Sequence, residues 1–359
     1  MRIFNIVNIS FYILVILSFF FSHTKENKST RRIYIIICFI IIGGLAAFRY
    51  TPEYADYGNY AAEYIRANRM TWEEVWESKS PAMFAVSKIA NYFTEEPQMF
   101  FVITGCFIAA VILRFVLKYS SNIYISVTAF WGLLYWNTSI NIVRQYMAVA
   151  IILIAYDTVL KEKLKFIDYL KIVLLIVLAS LFHNSALIMI FGIFILRLKN
   201  IQQTSTGIFK CVIIYVLLSI LISYGYSFVY DIYGIDGTYG TTSASIFGIV
   251  VPLFLCLSAW IYRREIIARD VKNTYLINAS LVTLILTMIS IFGMLIVQRL
   301  AVYFSIFSIL LLPEIFRSLF KKYYFKSQTT IFLAGIIVYY GILNFLGRVP
   351  LIHQLNFCL

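Results

Sequence analysis

Charge is scarce in this chain. Of its 359 residues only 13% are Asp, Glu, Lys or Arg, and the 17 acids are outnumbered by 30 basic residues. A soluble domain carries about 25% charged and about 45–50% apolar residues, so an ordinary water-facing surface is excluded. Proline is sparse as well, at six. The five cysteines (Cys38, Cys106, Cys211, Cys256, Cys358) show no metal-type pairing, and the first four lie inside apolar stretches. They read as free, inert thiols. No Gly-rich nucleotide loop, His/Cys metal set or nucleophile elbow occurs. A soluble domain that binds a cytoplasmic nucleotide sugar is therefore excluded, and no cofactor is expected.

What the chain does have is 61% hydrophobic residues, 18% aromatics and a mean hydropathy of +0.85. These are the proportions of an integral membrane protein. The net charge of +13 is not a nucleic-acid footprint, because the charges cluster between long apolar runs and do not spread over amphipathic faces. The start, Met1 to Ser22, has an apolar run without a small-residue cleavage site, and Lys25, Lys28, Arg31 and Arg32 follow at once. It reads as a retained first span.

A helix needs about 20 mostly apolar residues to cross a hydrocarbon core of about 30 Å. By that measure spans are expected near 4–21, 32–50, 97–117, 121–137, 142–160, 166–182, 184–196, 210–230, 245–262, 275–293, 299–316 and 329–346. The expectation is an all-α polytopic bundle of about 12 transmembrane helices, a single membrane domain over 1–359. Alternate connecting segments (23–32, 114–118, 161–171, 197–210, 263–272, 317–326) hold most of the 30 Lys and Arg. The positive-inside rule puts those segments in the cytoplasm and both termini outside.

Phe166 to Leu196 amounts to about 46 Å of helix, where two full crossings need about 60 Å. Lysines before it and Arg197 and Lys199 after it require the chain to turn back, so its tip, His183-Asn184-Ser185, should be recessed below the outer surface. Non-helical backbone survives at such depth only inside protein or against a water-filled cavity. Gln298-Arg299 is expected at a similar turn. The longest hydrophilic stretch, 49–97, is external. Within it Thr71-Trp72-Glu73-Glu74 has a capping-box pattern, and a second short helix, starting at Ser80-Pro81, is expected to lie at the interface or over a membrane cavity. A second external loop, 230–244, is rich in Gly and Tyr.

Four ionisable residues stand at the outer ends of spans: Arg49, Arg144, His183 and Arg299. Charge at membrane depth is costly enough to suggest function, although each arginine alone is open to a snorkelling role. The planar fork of arginine suits a diphosphate. His183 is open to two readings, a general base or a hydrogen bond to a neighbouring helix. Asp56-Tyr57-Gly58-Asn59-Tyr60 either holds sugar hydroxyls or is a solvated loop whose acids, Glu53 and Asp56, pair with Arg49.

At these residues the chain resembles the EpsG family, the Wzy-like polymerases of exopolysaccharide, capsule and O-antigen. The resemblance rests on Arg49 with Asp56-Tyr57 and Tyr60; Ile142-Val143-Arg144-Gln145-Tyr146-Met147-Ala148; Phe182-His183-Asn184-Ser185-Ala186-Leu187; and Arg299 with Tyr303-Phe304. The chain departs from the family pattern where Lys79-Ser80-Pro81 replaces a carboxylate at the start of a helix. The resemblance implies a membrane glycosyltransferase that polymerises undecaprenyl-diphosphate-linked oligosaccharide on the outer face of the bacterial cytoplasmic membrane. Arg144 and Arg299 would neutralise the leaving diphosphate and His183 would take the acceptor proton. Arg49, Asp56, Tyr57, Tyr60, Gln145 and Tyr303 would bind substrate. Implied partners are the lipid-linked oligosaccharide and the bilayer, with room for a chain-length regulator. A lipid-linked oligosaccharide flippase and an O-antigen ligase are the competing readings.

Overall fold

The computed structural model describes residues 5–25, 27–51, 55–198, 246–291, 295–349 and 354–355. In chain order the elements are α1 (Ile6–His23), α2 (Lys28–Phe48), β1 (Arg49–Tyr50), α3 (Ala55–Arg69), α4 (Trp72–Glu77), α5 (Pro81–Asn91), α6 (Gln98–Tyr119), α7 (Ile123–Gly132), α8 (Tyr135–Asn141), α9 (Val143–Val159), α10 (Phe166–Phe182), α11 (Ile188–Leu196), α12 (Val250–Ile261), α13 (Arg263–Arg269), α14 (Asn273–Ile291), α15 (Leu295–Ser305), α16 (Ser308–Leu319), α17 (Phe325–Phe345) and β2 (Gln354–Leu355). Short 3-10 turns, Asn184–Leu187 and Ile246–Ile249, precede α11 and α12.

This is an all-α polytopic membrane protein. Among the described residues α1, α2, α6, α14 and α17 are each long and apolar enough to cross a membrane, and the total reaches seven if two bent pairs each count as one span. Helices stand at the expected spans apart from 210–230, which lies outside the described residues together with loop 230–244. Several are too short to cross alone: the ten residues of α7 rise only about 15 Å.

Two expected spans are broken. The one at 121–137 stops at Gly132, because Leu134 adopts a left-handed conformation at φ 63°. The chain restarts as α8, and α8 and α9 meet at 119°. The Trp131 and Trp136 rings stack across this break at 4.2 Å, and the Trp136 Nε1–H donates to the Ile42 carbonyl at 3.2 Å. A strained backbone of this kind persists where packing over-determines it. The span at 299–316 is two helices bent by 57°, with Pro313 inside α16 unable to donate to the Ile309 carbonyl. Gln298 and Arg299, expected at a turn, instead stand inside α15.

The chain divides into two compact units, Met1–Met189 with Phe320–Leu359, and Ile190–Leu319. In the first, α2 packs along α6 through small residues. A Cβ on Gly105 would stand 2.9 Å from the Ala46 Cβ, and one on Gly132 would stand 2.5 Å from Ile336 Cγ1 of α17. Without a hydrophobic drive between helices in lipid, such close backbone approach supplies the packing. Buried hydrogen bonds join the helices as well: Ser18 with Tyr34 at 2.7 Å, Asn122 to Thr329 at 2.8 Å and Tyr340 to Asn8 at 3.0 Å.

The parallel helices α6 and α9 define two ends of this unit. At their C-terminal ends Arg114 and Lys118 reach Asp157 at 2.6 and 2.9 Å, and after α9 Lys161 reaches Asp168 at 2.6 Å. At their N-terminal ends lies a polar layer, α3 to α5. The capping box at Thr71 forms as expected, with the Thr71 N–H donating to Glu74 Oε2 at 2.6 Å, and α5 begins at Pro81. The layer has its own small core of Ala67, Met70, Val75 and Phe84. The opposite-end placement of 49–97 and the basic segments 114–118 and 161–171 matches the alternation in the sequence. β1 pairs antiparallel with β2, Arg49 opposite Leu355.

In the second unit Asn278 of α14 donates to the Leu196 and Leu198 carbonyls at 3.1 and 2.9 Å, closing the end of α11. Arg269 holds Glu314 of α16 at 2.7 Å and Ser318 at 2.9 Å. Cys38, Cys106 and Cys256 are free.

The small-residue contacts give a direct test. Gly105→Val and Gly132→Val are each expected to cost about 1–3 kcal/mol by overpacking, whereas Gly44→Ala and Gly335→Ala, where a Cβ meets nothing within 4 Å, should leave stability unchanged or slightly raised. Thermal unfolding of the detergent-solubilised variants measures the difference.

Candidate functional site

The site is built from α3. Tyr57, Tyr60, Tyr64 and Ala67 recur at helical spacing and turn one face toward the protein, Tyr57 half-buried and the other three buried. Tyr57 stacks flat on Phe101 at 4.4 Å and Tyr60 on Phe100 at 5.4 Å, so two rings at the start of α6 seat the helix. The Tyr57 hydroxyl donates to Gln98 Oε1 at 3.3 Å, and the Gln98 amide donates to the Ala47 carbonyl at the end of α2. Asp56 to Tyr60 falls in the stretch 49–97 expected as an external loop, open to sugar binding or to a plain solvated loop. The segment is helix, and Asp56 is exposed in its first turn.

The flank of α3 beside this face carries charge. Arg144, at the start of α9, donates to Glu63 Oε1 at 2.9 Å and to the Ser80 Oγ at 3.4 Å, and its guanidinium lies 5.5 Å from the centre of the Tyr60 ring. Arg144 and Glu63 form one wall of a cavity of about 640 Å³. Arg66 and Arg69 of α3, Lys79 between α4 and α5, and Glu74 and Glu77 of α4 also line it. Partial burial raises the Glu63 carboxyl above the usual carboxylate range, with Arg144 opposing the shift. Burial likewise raises the Tyr60 phenol, again opposed by Arg144. The Glu74 carboxyl is held low by the Thr71 N–H that it caps.

Arg49 is placed differently. It is 2% exposed; its guanidinium donates to the Ala46 carbonyl and, at 2.9 Å, to the Ile140 carbonyl, and lies 4.5 Å from the Phe101 ring centre. It therefore ties the end of α2 to the end of α8, and no ion pair joins it to Asp56 among the described residues. Glu53 lies outside them.

His183 ends α10 with extended backbone, and the 3-10 turn after it packs on α9 and α10. Its Nδ1 accepts the Ser185 N–H at 3.4 Å and lies 2.6 Å from the Ser185 Oγ. With Nδ1 accepting, the neutral ring carries its proton on Nε2. Acting as a base then requires the ring to exchange tautomers or to work through the Ser185 hydroxyl. Gln145, beside Arg144 in sequence, is buried at 1%. Arg299 and Tyr303 belong to the second unit and share a face of α15; Tyr303 is buried. Among the described residues no group of three or more His, Cys, Asp and Glu is placed to hold a metal ion.

The structure thus gathers Tyr57, Tyr60 and Arg144 on one layer and adds Glu63, Arg66, Arg69 and Lys79. Glu63, Arg66 and Arg69 are on α3, for which the tyrosine spacing is the signal in the sequence, and Lys79 stands in the Lys79-Ser80-Pro81 segment that departs from the family pattern. The model described as the EpsG family matches residues 32–350. The chain belongs to the EpsG family. Neither a curated protein nor a solved structure matches it. As an EpsG family member it is a membrane polysaccharide polymerase in the general sense, and the match covers all nine residues nominated above.

Arg49 offers a test of its structural engagement. Arg49→Met leaves the Ala46 and Ile140 carbonyls buried without their donor, at about 1–3 kcal/mol for each. The variant should lose thermal stability and detergent-extractable yield; a variant as stable as the native protein would count against this anchoring.

Proposed function

We propose that this protein polymerises oligosaccharide repeat units carried on undecaprenyl diphosphate, at the outer face of the bacterial cytoplasmic membrane, with twelve crossings and both termini outside. The observation that carries the reading is Arg144: an arginine at the end of a membrane helix, on the wall of a polar cavity, in a chain of the EpsG family.

In this reading the acceptor hydroxyl attacks the anomeric carbon of the donor unit. The new glycosidic C–O bond forms as the bond to the lipid diphosphate breaks, and the acceptor proton passes to a base, the role given to His183. Charge develops on the departing diphosphate, where a preorganised cation stabilises it most. Arg144 meets that charge, and Arg299 is assigned the same task. Asp56 and Tyr57 orient acceptor sugar, with Tyr60, Gln145 and Tyr303 as further substrate contacts. Arg49 supports them by holding α2 against α8.

A strain lacking the gene, with and without complementation, tests the reading through the gel profile of its surface polysaccharide and a blot for lipid-linked intermediates. Short material with long chains restored on complementation is the expected outcome. Unpolymerised units held on the inner leaflet would indicate a flippase. Full-length lipid-linked polymer that never reaches its final acceptor would indicate a ligase. In the complemented strain Arg144→Ala and Arg299→Ala should abolish long chains, and lysine at either position should rescue poorly because it lacks the guanidinium fork.

A further inference from the structure

The charges round the α3–α5 cavity do not balance. Arg66, Arg69, Lys79 and Arg144 face Glu63, Glu74 and Glu77 across it. Glu74 is committed to the Thr71 N–H, and Glu63 to Arg144. Arg66, Arg69 and Lys79 make no ion pair among the described residues. The last turn of α3 brings Arg66 and Arg69 to the same cavity, one helical turn apart. The N-terminus of α5 stands at the Arg144 wall, since Ser80 contacts Arg144, and no side chain caps its first N–H groups. Its dipole adds positive potential there.

We propose that this cavity is a diphosphate-binding pocket, in which Arg66, Arg69 and Lys79 join Arg144, and that Glu63 is the counter-ion which an arriving diphosphate displaces from Arg144. The proposal rests on the polymerase reading for its natural ligand, a polyprenyl diphosphate, and deepens it by naming the cations.

Two features fit a displaceable partner. Half-buried Glu63 pays a desolvation cost as a carboxylate, shown by its upward shift in spite of the arginine 2.9 Å away. A single carboxylate also satisfies only part of a guanidinium fork, whereas a diphosphate brings more charge and several acceptors. Glu63 keeps Arg144 oriented over Tyr60; when a diphosphate binds, it retreats toward Arg66, the other cation beside it on α3.

The test uses purified full-length protein in nanodiscs and titrates inorganic pyrophosphate, inorganic phosphate, farnesyl diphosphate, farnesyl monophosphate, farnesol and trigalacturonate in metal-free buffer. Pyrophosphate should bind more tightly than phosphate, and farnesyl diphosphate more tightly than the monophosphate or the alcohol. Arg66→Ala, Arg69→Ala and Lys79→Ala, all at exposed positions, should each weaken pyrophosphate binding by about three- to tenfold. Glu63→Gln, which keeps a hydrogen-bond acceptor for Arg144 but removes the charge, should strengthen it by a similar factor.

Native-like affinity in all three alanine variants would overturn the pocket, and so would preference for the uronate over the diphosphates. Weaker or unchanged binding in Glu63→Gln, with thermal unfolding showing the variant folded, would overturn the displaced counter-ion. Each of these failures leaves the gel profile of the deletion strain free to support the polymerase, while a flippase or ligase profile alongside intact pyrophosphate binding would locate the error in the polymerase reading.

Discussion

A guanidinium that water does not reach holds the candidate site in place. Arg49 donates to backbone carbonyls at the ends of two helices, Ala46 of α2 and Ile140 of α8, and rests on the Phe101 ring. Carbonyls at helix C-termini have no partner within their own helix, and in a membrane protein they must find one inside the protein. Arg49 answers that need for two helices at once. Its position decides where α8 ends, hence where α9 begins, hence where Arg144 stands. The same residue opens β1, so the pairing with Gln354–Leu355 also rests on it.

The distribution of charge follows from the same constraint. At the C-terminal ends of α6 and α9 acids are used up locally, with Asp157 held by Arg114 and Lys118 and Asp168 by Lys161. Their basic partners are exposed, so solvent screens these pairs; their effect is to leave that end without a surplus of acid. At the other end the polar layer mixes both signs, and Arg66, Arg69 and Lys79 line the cavity without an ion pair among the described residues.

Much of the architecture was legible in the sequence because span length and loop charge are set by the bilayer. The helices at 6–23, 28–48, 98–119 and 325–345 fall where hydropathy put them, and the capping box at Thr71 and the start at Pro81 were readable from three or four residues each. What was not legible depended on contacts distant in sequence. The break at Leu134 needs the Trp131–Trp136 stack and the Ile42 carbonyl, and the interruption of 299–316 falls between Ser305 and Ser308, where two serines in a mostly apolar run give little signal. Tyr57, Tyr60, Tyr64 and Ala67 carry the period of α3, but its polar residues and Gly58 resemble a loop when read one at a time, and Glu63, Arg66 and Arg69 are legible as site residues only once that helix is.

Arg49 and Arg144 show why residue type alone could not assign roles. Both end membrane helices on the same side, and in sequence both are candidates for a phosphate. Desolvation separates them. A guanidinium enclosed with two carbonyls and an aromatic face has its donors engaged and its charge compensated by oriented dipoles, so an incoming anion would have to break packing to reach it. A guanidinium on a cavity wall, paired to a carboxylate that is itself raised by burial, has a partner that can be exchanged for a better one. Catalysis by charge stabilisation requires the second kind, because only an interaction that strengthens as charge develops lowers a barrier. The first kind is what allows the second to be held still, since a cation aimed at a developing charge is useful only if it need not reorganise when that charge appears.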